Sequence, residues 1–148
     1  MDELNELLDA ARSELQDSRK KLKSIETVLA GKKELLTQLL TYWETKDVRQ
    51  EYKRLTTAKA RAEYAQAHER EFILSNAAAK YFKEHGITKL PSTKTLQAEI
   101  QQLTSEQNAR YKDYREKRDR VEELERVRSN LETVLGHKKE KRHELIPS

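Results

Sequence analysis

Apolar residues recur along the first third of the chain at Leu4, Leu8, Ala11, Leu15, Leu22, Ile25, Leu29, Leu36, Leu39 and Trp43. Ser18 and Lys32 fill the two remaining places, and the steps alternate four and three residues without a slip. A repeat of this kind keeps one stripe of a helix facing a partner helix, so it predicts a coiled-coil seam. Mixed charges flank the stripe, among them Glu14, Arg19, Lys20 and Glu26. Gly31 lies off the seam and softens the helix by about 1 kcal/mol without ending it.

The same alternation returns at Leu96, Ile100, Leu103, Gln107, Arg110, Tyr114, Lys117, Val121, Leu124, Arg128, Leu131 and Leu135. Pro91 breaks what precedes this second seam, Ser92 can cap the new helix, and Gly136 marks its stop. Each long helix spans roughly 43 residues and about 64 Å. Matched lengths predict that the two pair with each other, and an antiparallel arrangement brings Leu39 near Ile100. Heptads pair as readily between chains as within one, so the oligomeric state stays open and a homodimer remains a candidate.

The intervening residues supply the turn back. Asp47 is placed to cap a short helix through Leu55, Thr56 and Thr57 interrupt it, and a further helix is predicted from about Ala58 to Lys83. Its face carries Ala58, Ala62 and Ala65, then Phe72, Ile73, Ala77, Tyr81 and Phe82, and His85 with Gly86 ends it. The predicted organisation is a long helix over 1–46, a helical turn-back segment over 47–86 and a linker over 87–91. A second long helix over 92–136 and a charged flexible tail over 137–148 complete one module. The fold class is therefore all-α, with two long helices in an antiparallel coiled coil joined by a shorter helical segment at the turn.

Composition supports helices over a compact core or disorder. The chain of 148 residues is 35% hydrophobic and 38% charged, against about 25% charged in an average domain. Only 3 Gly and 2 Pro are present, too few for a typical disordered chain. Cysteine is absent, so disulfides, thiolate metal sites and cysteine nucleophiles are excluded and an intracellular setting is favoured. The opening MDELNELLDAARSELQD is acidic where a signal peptide is basic, and no apolar run approaches the roughly 20 residues that span a bilayer. A soluble, cytoplasmic protein without a membrane partner is expected.

Charge adds one candidate surface. The formal net charge of +4 divides as −1 over residues 1–46, +3 over 47–91 and +2 over 92–148. The densest excess is Arg49, Lys53, Arg54, Lys59 and Arg61, which is a candidate nucleic-acid surface or a solvated helical face. A second basic run, Arg110 to Arg120, interleaves Tyr111 and Tyr114 with cations, as a strand-tracking surface does. Against that, Tyr114 and Lys117 lie in the seam register, and Asp113, Glu116 and Asp119 cancel much of the field, so core packing is the better account of the tyrosines.

Candidate chemistry is otherwise sparse. His68, His85, His137 and His143 make no pair at helical ligand spacing and no HExxH. The neighbours Glu122 and Glu123 sit in a charge-rich helix without the apolar setting that retunes a carboxylate. No Gly-rich phosphate loop or nucleophile elbow occurs. The expectation is a chain with no catalytic residues, no metal, no cofactor and no small-molecule substrate.

Residues 77–136 contain an aromatic-rich helix end, then HGITKLP, an L-x-x-E-I-x-x-L helix start, a YxxYR centre and a closing Leu-x-x-Val-Leu-Gly. In order and spacing this resembles the C-terminal helical region of relaxases, the mobilisation nucleases of conjugative elements in Gram-positive bacteria. The upstream IETVLAGKKELLTQLLTYWETKDVRQEYKRL, with His68 before EFIL, is similar to the same region. The resemblance implies a larger protein whose N-terminal domain nicks one DNA strand with a tyrosine nucleophile and a metal held by a His-hydrophobe-His motif. Neither is present in this sequence, so no catalytic residue carries over. What it implies for this chain is a non-catalytic module in conjugative DNA transfer, docking DNA or relaxosome proteins. The alternative is a structural coiled coil or dimerisation rod of an unrelated cytosolic protein.

Overall fold

The computed structural model describes residues 1–145, with side chains as far as Lys138. Five helices follow in order: α1 (Asp2–Glu44), α2 (Lys46–Arg54), α3 (Ala58–Ala67), α4 (Glu69–Glu84) and α5 (Thr93–Leu145). No strand occurs among the described residues. The two long helices, α1 and α5, pack closely. The chain divides into two compact units, one of Met1–Glu26 with the chain from Ser105 onward, the other of Thr27–Thr104.

In the first unit Leu8, Ala11 and Val121 are buried together, with Leu15 and Leu124 packed against them. Leu8 is fully buried, a placement that stabilises by about 1.5–3 kcal/mol for a leucine. The polar seam position Ser18 is also buried, and its hydroxyl donates to the Asp113 carboxylate at 3.0 Å. Lys117 reaches both Asp113 at 3.6 Å and Glu14 at 3.8 Å, so the interruption of the apolar stripe is met by a polar group from the facing helix. Further along, Arg12 pairs with Glu125 at 3.1 Å.

The second unit holds the other core, in which Leu39, Ala78, Phe82 and Leu96 are buried and Leu35, Leu36, Tyr42, Ile87, Leu90 and Ile100 pack around them. The second polar seam residue behaves like the first: Lys32 donates to Glu99 at 2.8 Å. Leu39 lies in this core and Ile100 packs against it.

At the end of α1 the seam departs from the heptad row. Trp43, which the spacing placed in the stripe, is 44% exposed. Tyr42 is turned inward instead, its ring meeting Phe82 edge-on at 5.5 Å. The packing partner has changed here from α5 to α4, and the inward face shifts by one residue with it. Near the far end of α5, Leu131 and Leu135 were also placed in the seam, yet both are exposed.

Helix boundaries follow local chemistry with four departures. The Thr57 hydroxyl accepts from the Ala60 amide at 3.1 Å and caps α3, and Ser92 reaches the Thr95 amide at 3.5 Å before α5. Gly86, at φ 65, closes α4: the Ile87 amide donates to the Phe82 carbonyl at 2.8 Å and the Gly86 amide to Lys83 at 3.2 Å, the paired bonds of a Schellman motif. First, Asp47 does not cap α2; Thr45 takes that place, without a side-chain cap bond. Second, the helix expected from Ala58 to Lys83 is split at His68, whose φ −117 and ψ 30 leave helical values. No Gly or Pro marks this break. It lies in an aromatic group in which Phe72 meets Tyr52 at 5.2 Å and Tyr64 at 6.3 Å. Third, Gly136 does not stop the last helix. Fourth, the tail expected over 137–148 is helical as far as Leu145, and residues 146–148 lie outside the described residues. A single glycine costs a helix only about 1 kcal/mol, and with none of a left-handed cap's bonds formed there the helix continues.

Leu39→Ala should lower the unfolding free energy by about 2–5 kcal/mol, whereas Leu131→Ala should stay within about 1 kcal/mol; urea denaturation followed by circular dichroism distinguishes them. The glycines should move in opposite directions. Gly31→Ala, where an added methyl meets nothing within 4 Å, should raise stability by about 0.5–1 kcal/mol. Gly86→Ala should cost about 1–2 kcal/mol, because a side chain disfavours its positive φ.

Candidate nucleic-acid interface

Helix α2 is short, and its sequence KDVRQEYKR sorts by type around the axis. At 3.6 residues per turn, Lys46, Arg49, Gln50 and Lys53 share one face. Val48, Tyr52 and Leu55 share a second, and Asp47, Glu51 and Arg54 a third. The carboxylates of Glu51 and Asp47 act on Tyr64: burial first, then Glu51, Glu71 and Asp47, raise its hydroxyl above the usual phenol value. Both carboxylates fall outside the Lys46 face of α2.

Arg49 anchors that face. Its guanidinium lies 3.7 Å from the Tyr42 ring centroid, a cation–π contact. It donates to the Tyr42 carbonyl at 2.7 Å, to the Thr45 hydroxyl and to Ser75 at 3.2 Å. Thr45 and Ser75 are buried, at 4% and 3% exposure, so the arginine satisfies polar groups from α1, the α1–α2 junction and α4 at once. Held this way, it contributes positive potential and fixes geometry rather than reaching outward.

Beside it lies an open cavity of about 240 Å³, lined by Tyr42, Trp43, Lys46, Arg49, Gln50, Lys53 and Leu90. Its described lining holds three cations and no carboxylate. The Lys46 ammonium is 5.7 Å from the Trp43 ring centroid, and Tyr42 meets Trp43 edge-on at 5.6 Å. A neighbouring cavity of about 470 Å³ shares Tyr42 and Leu90 but is lined chiefly by Phe82, Ile87, Ala79 and Thr88, with Lys83 its charged group.

Of the five cations singled out from sequence, Arg49 and Lys53 come together in the cationic cavity. Arg54 faces elsewhere and pairs with Glu51 at 3.5 Å. Arg61 donates to the Leu55 carbonyl at 2.8 Å and lies 5.7 Å from the Tyr52 ring, closing the α2–α3 turn. Lys59 is exposed on α3. Lys46 and Trp43 were missed as site residues. Spacing offered the signal, since Lys46, Arg49 and Lys53 stand at i, i+3 and i+7 of one helix. In the second basic run, Tyr114 is half-buried in the seam, while Tyr111 is exposed and carries Arg115 at 4.9 Å. Among the described residues no three His, Asp or Glu side chains gather as a metal site, and no helix is long and apolar enough to cross a membrane.

No protein family, curated protein or solved structure matches the chain.

Arg49→Ala should destabilise by about 1.5–3 kcal/mol, the usual cost of losing charge-assisted hydrogen bonds. Arg49→Lys should recover only part of it, because an ammonium lacks the planar fork. Lys53→Gln should leave the thermal midpoint unchanged within about 1 °C, since an exposed lysine outside such networks contributes little.

Proposed function

We propose that this chain is a non-catalytic helical module of a DNA relaxase, acting in conjugative transfer by docking on the DNA backbone through the cation face of α2. The observation that carries the reading is the grouping of Lys46, Arg49 and Lys53 around a cavity whose described lining has no carboxylate. Phosphate affinity scales with the number of cations that converge on the backbone, and this is where they converge. The likeness of residues 77–136 to the helical region of relaxases supplies the DNA-transfer context. In this reading α1 and α5 pair as an antiparallel coiled coil. Its support is the order of pairings within each unit: Arg12 with Glu125 and Ser18 with Asp113 in one, Lys32 with Glu99 in the other.

A second reading has its own observation. Val127, Leu131, Val134 and Leu135 form an exposed apolar row on α5, the kind of surface by which a coiled coil docks a relaxosome protein or a second copy.

The DNA reading is tested by titrating labelled DNA at low and physiological salt. Binding should be weak, base-unselective and salt-sensitive. The double variant Lys46→Gln, Lys53→Gln should reduce the slope of log affinity against log salt by about 1.8 on duplex DNA, near 0.9 for each phosphate that is no longer neutralised. Binding unchanged by the double variant would remove α2 as the interface. No binding at low salt would transfer the weight to protein docking by the α5 row.

A further inference from the structure

Trp43 is the sole tryptophan of the chain and is 44% exposed at the end of α1. An indole left in water forgoes a large burial gain, and the neighbouring Tyr42 has taken the inward place. What surrounds the indole is chemically specific. Tyr42, immobilised by Arg49 and Phe82, meets it at an interplanar angle of 70°. The indole is thus steadied by a ring that does not stack on it. Lys46 and Lys53 line the same cavity, and Leu90 adds an apolar wall.

A flat aromatic surface with the Lys46 ammonium over its ring at 5.7 Å and Lys53 lining the same cavity, both on flexible stems that can move aside, fits a ligand with a planar base next to a phosphate. The cavity, about 240 Å³, is below the roughly 300–1,000 Å³ of a whole small-molecule site, so it has room for one planar group of a longer chain. A base within a duplex has both faces covered by its neighbours, and only an unpaired base can present a face for stacking on an aromatic side chain. We propose that this cavity is a single-strand site, in which one unpaired base of DNA stacks on Trp43 against Leu90 while the adjoining phosphates meet Lys46 and Lys53. Arg49 acts as a positioning residue, holding Tyr42 and thereby the indole. The inference rests on the phosphate-docking reading of α2 and adds to it a preference for unpaired strands.

Because Trp43 is the only indole, its fluorescence reports on the cavity directly. The full chain is titrated with a single-stranded oligothymidylate, with an abasic strand of equal length and with a duplex, following both indole emission and the anisotropy of the labelled nucleic acid. Stacking contributes about 1–3 kcal/mol per base, which converts to roughly 5- to 150-fold tighter binding of the oligothymidylate than of the abasic strand. Indole quenching should accompany the first strand and not the second. Trp43→Leu should bring the oligothymidylate down to the abasic affinity without changing the latter, and Trp43→Phe should retain part of the difference. Equal binding of the two strands, without quenching by either, would overturn the stacking site and leave phosphate docking standing. Duplex binding as tight as single-strand binding would also overturn it. Failure of every strand to bind at low salt would remove both readings together.

Discussion

A helix of 43 residues with a single apolar stripe is unstable in water unless a second helix covers that stripe, and this requirement governs the structure. Leu8, Ala11, Leu22, Leu29 and Leu39 of α1 are all buried, and the residues covering Leu8 and Ala11 in one unit and Leu39 in the other include Val121 and Leu96 of α5. The heptad spacing sets which face turns inward but not which turn of α5 lies opposite a given turn of α1. Polar positions in the stripe help to choose it. Ser18 is satisfied by Asp113 and Lys32 by Glu99; a slip would strand the buried Ser18 hydroxyl, at a cost of the order of 1–3 kcal/mol, and separate a partly exposed ammonium from its carboxylate, a loss of about 1 kcal/mol at most.

The candidate interface is a by-product of how this pairing ends. Where α4 takes over from α5 as the neighbour of α1, the inward position passes from the heptad row to Tyr42, and Phe82 receives it. Trp43 is displaced to the surface, directly before α2. Arg49 then ties the junction to α4 through Tyr42, Thr45 and Ser75. One arginine thereby serves stability and sets the field of a surface on which Lys46 and Lys53 stand free of acidic neighbours in the cavity lining. The division of labour is physical: a guanidinium suits a fixed, many-sided contact, and an ammonium on a flexible stem suits an exposed phosphate.

The α1 stripe as far as Leu39, its two polar interruptions, the break at Thr56–Thr57, the Ser92 start and the Gly86 stop were legible in the sequence, because each depends on spacing within one helix or on a local cap. Part of the site was legible for the same reason: Arg49 and Lys53 appear as an excess of charge, and Lys46 belongs to their face at helical spacing. Other features required partners distant in sequence. The break at His68 accompanies the contact of Phe72 with Tyr52 of α2, and the exchange of Trp43 for Tyr42 answers to Phe82, which is remote in the chain. Two cations of the patch are engaged by neighbours close in sequence, Arg54 by Glu51 and Arg61 by the Leu55 carbonyl and the Tyr52 ring, a distinction that counting charge does not make. Periodicity determines which residues can face a neighbour, because it is fixed by the helix itself. Which neighbour they face is decided only when separate helices compete for the same side chain.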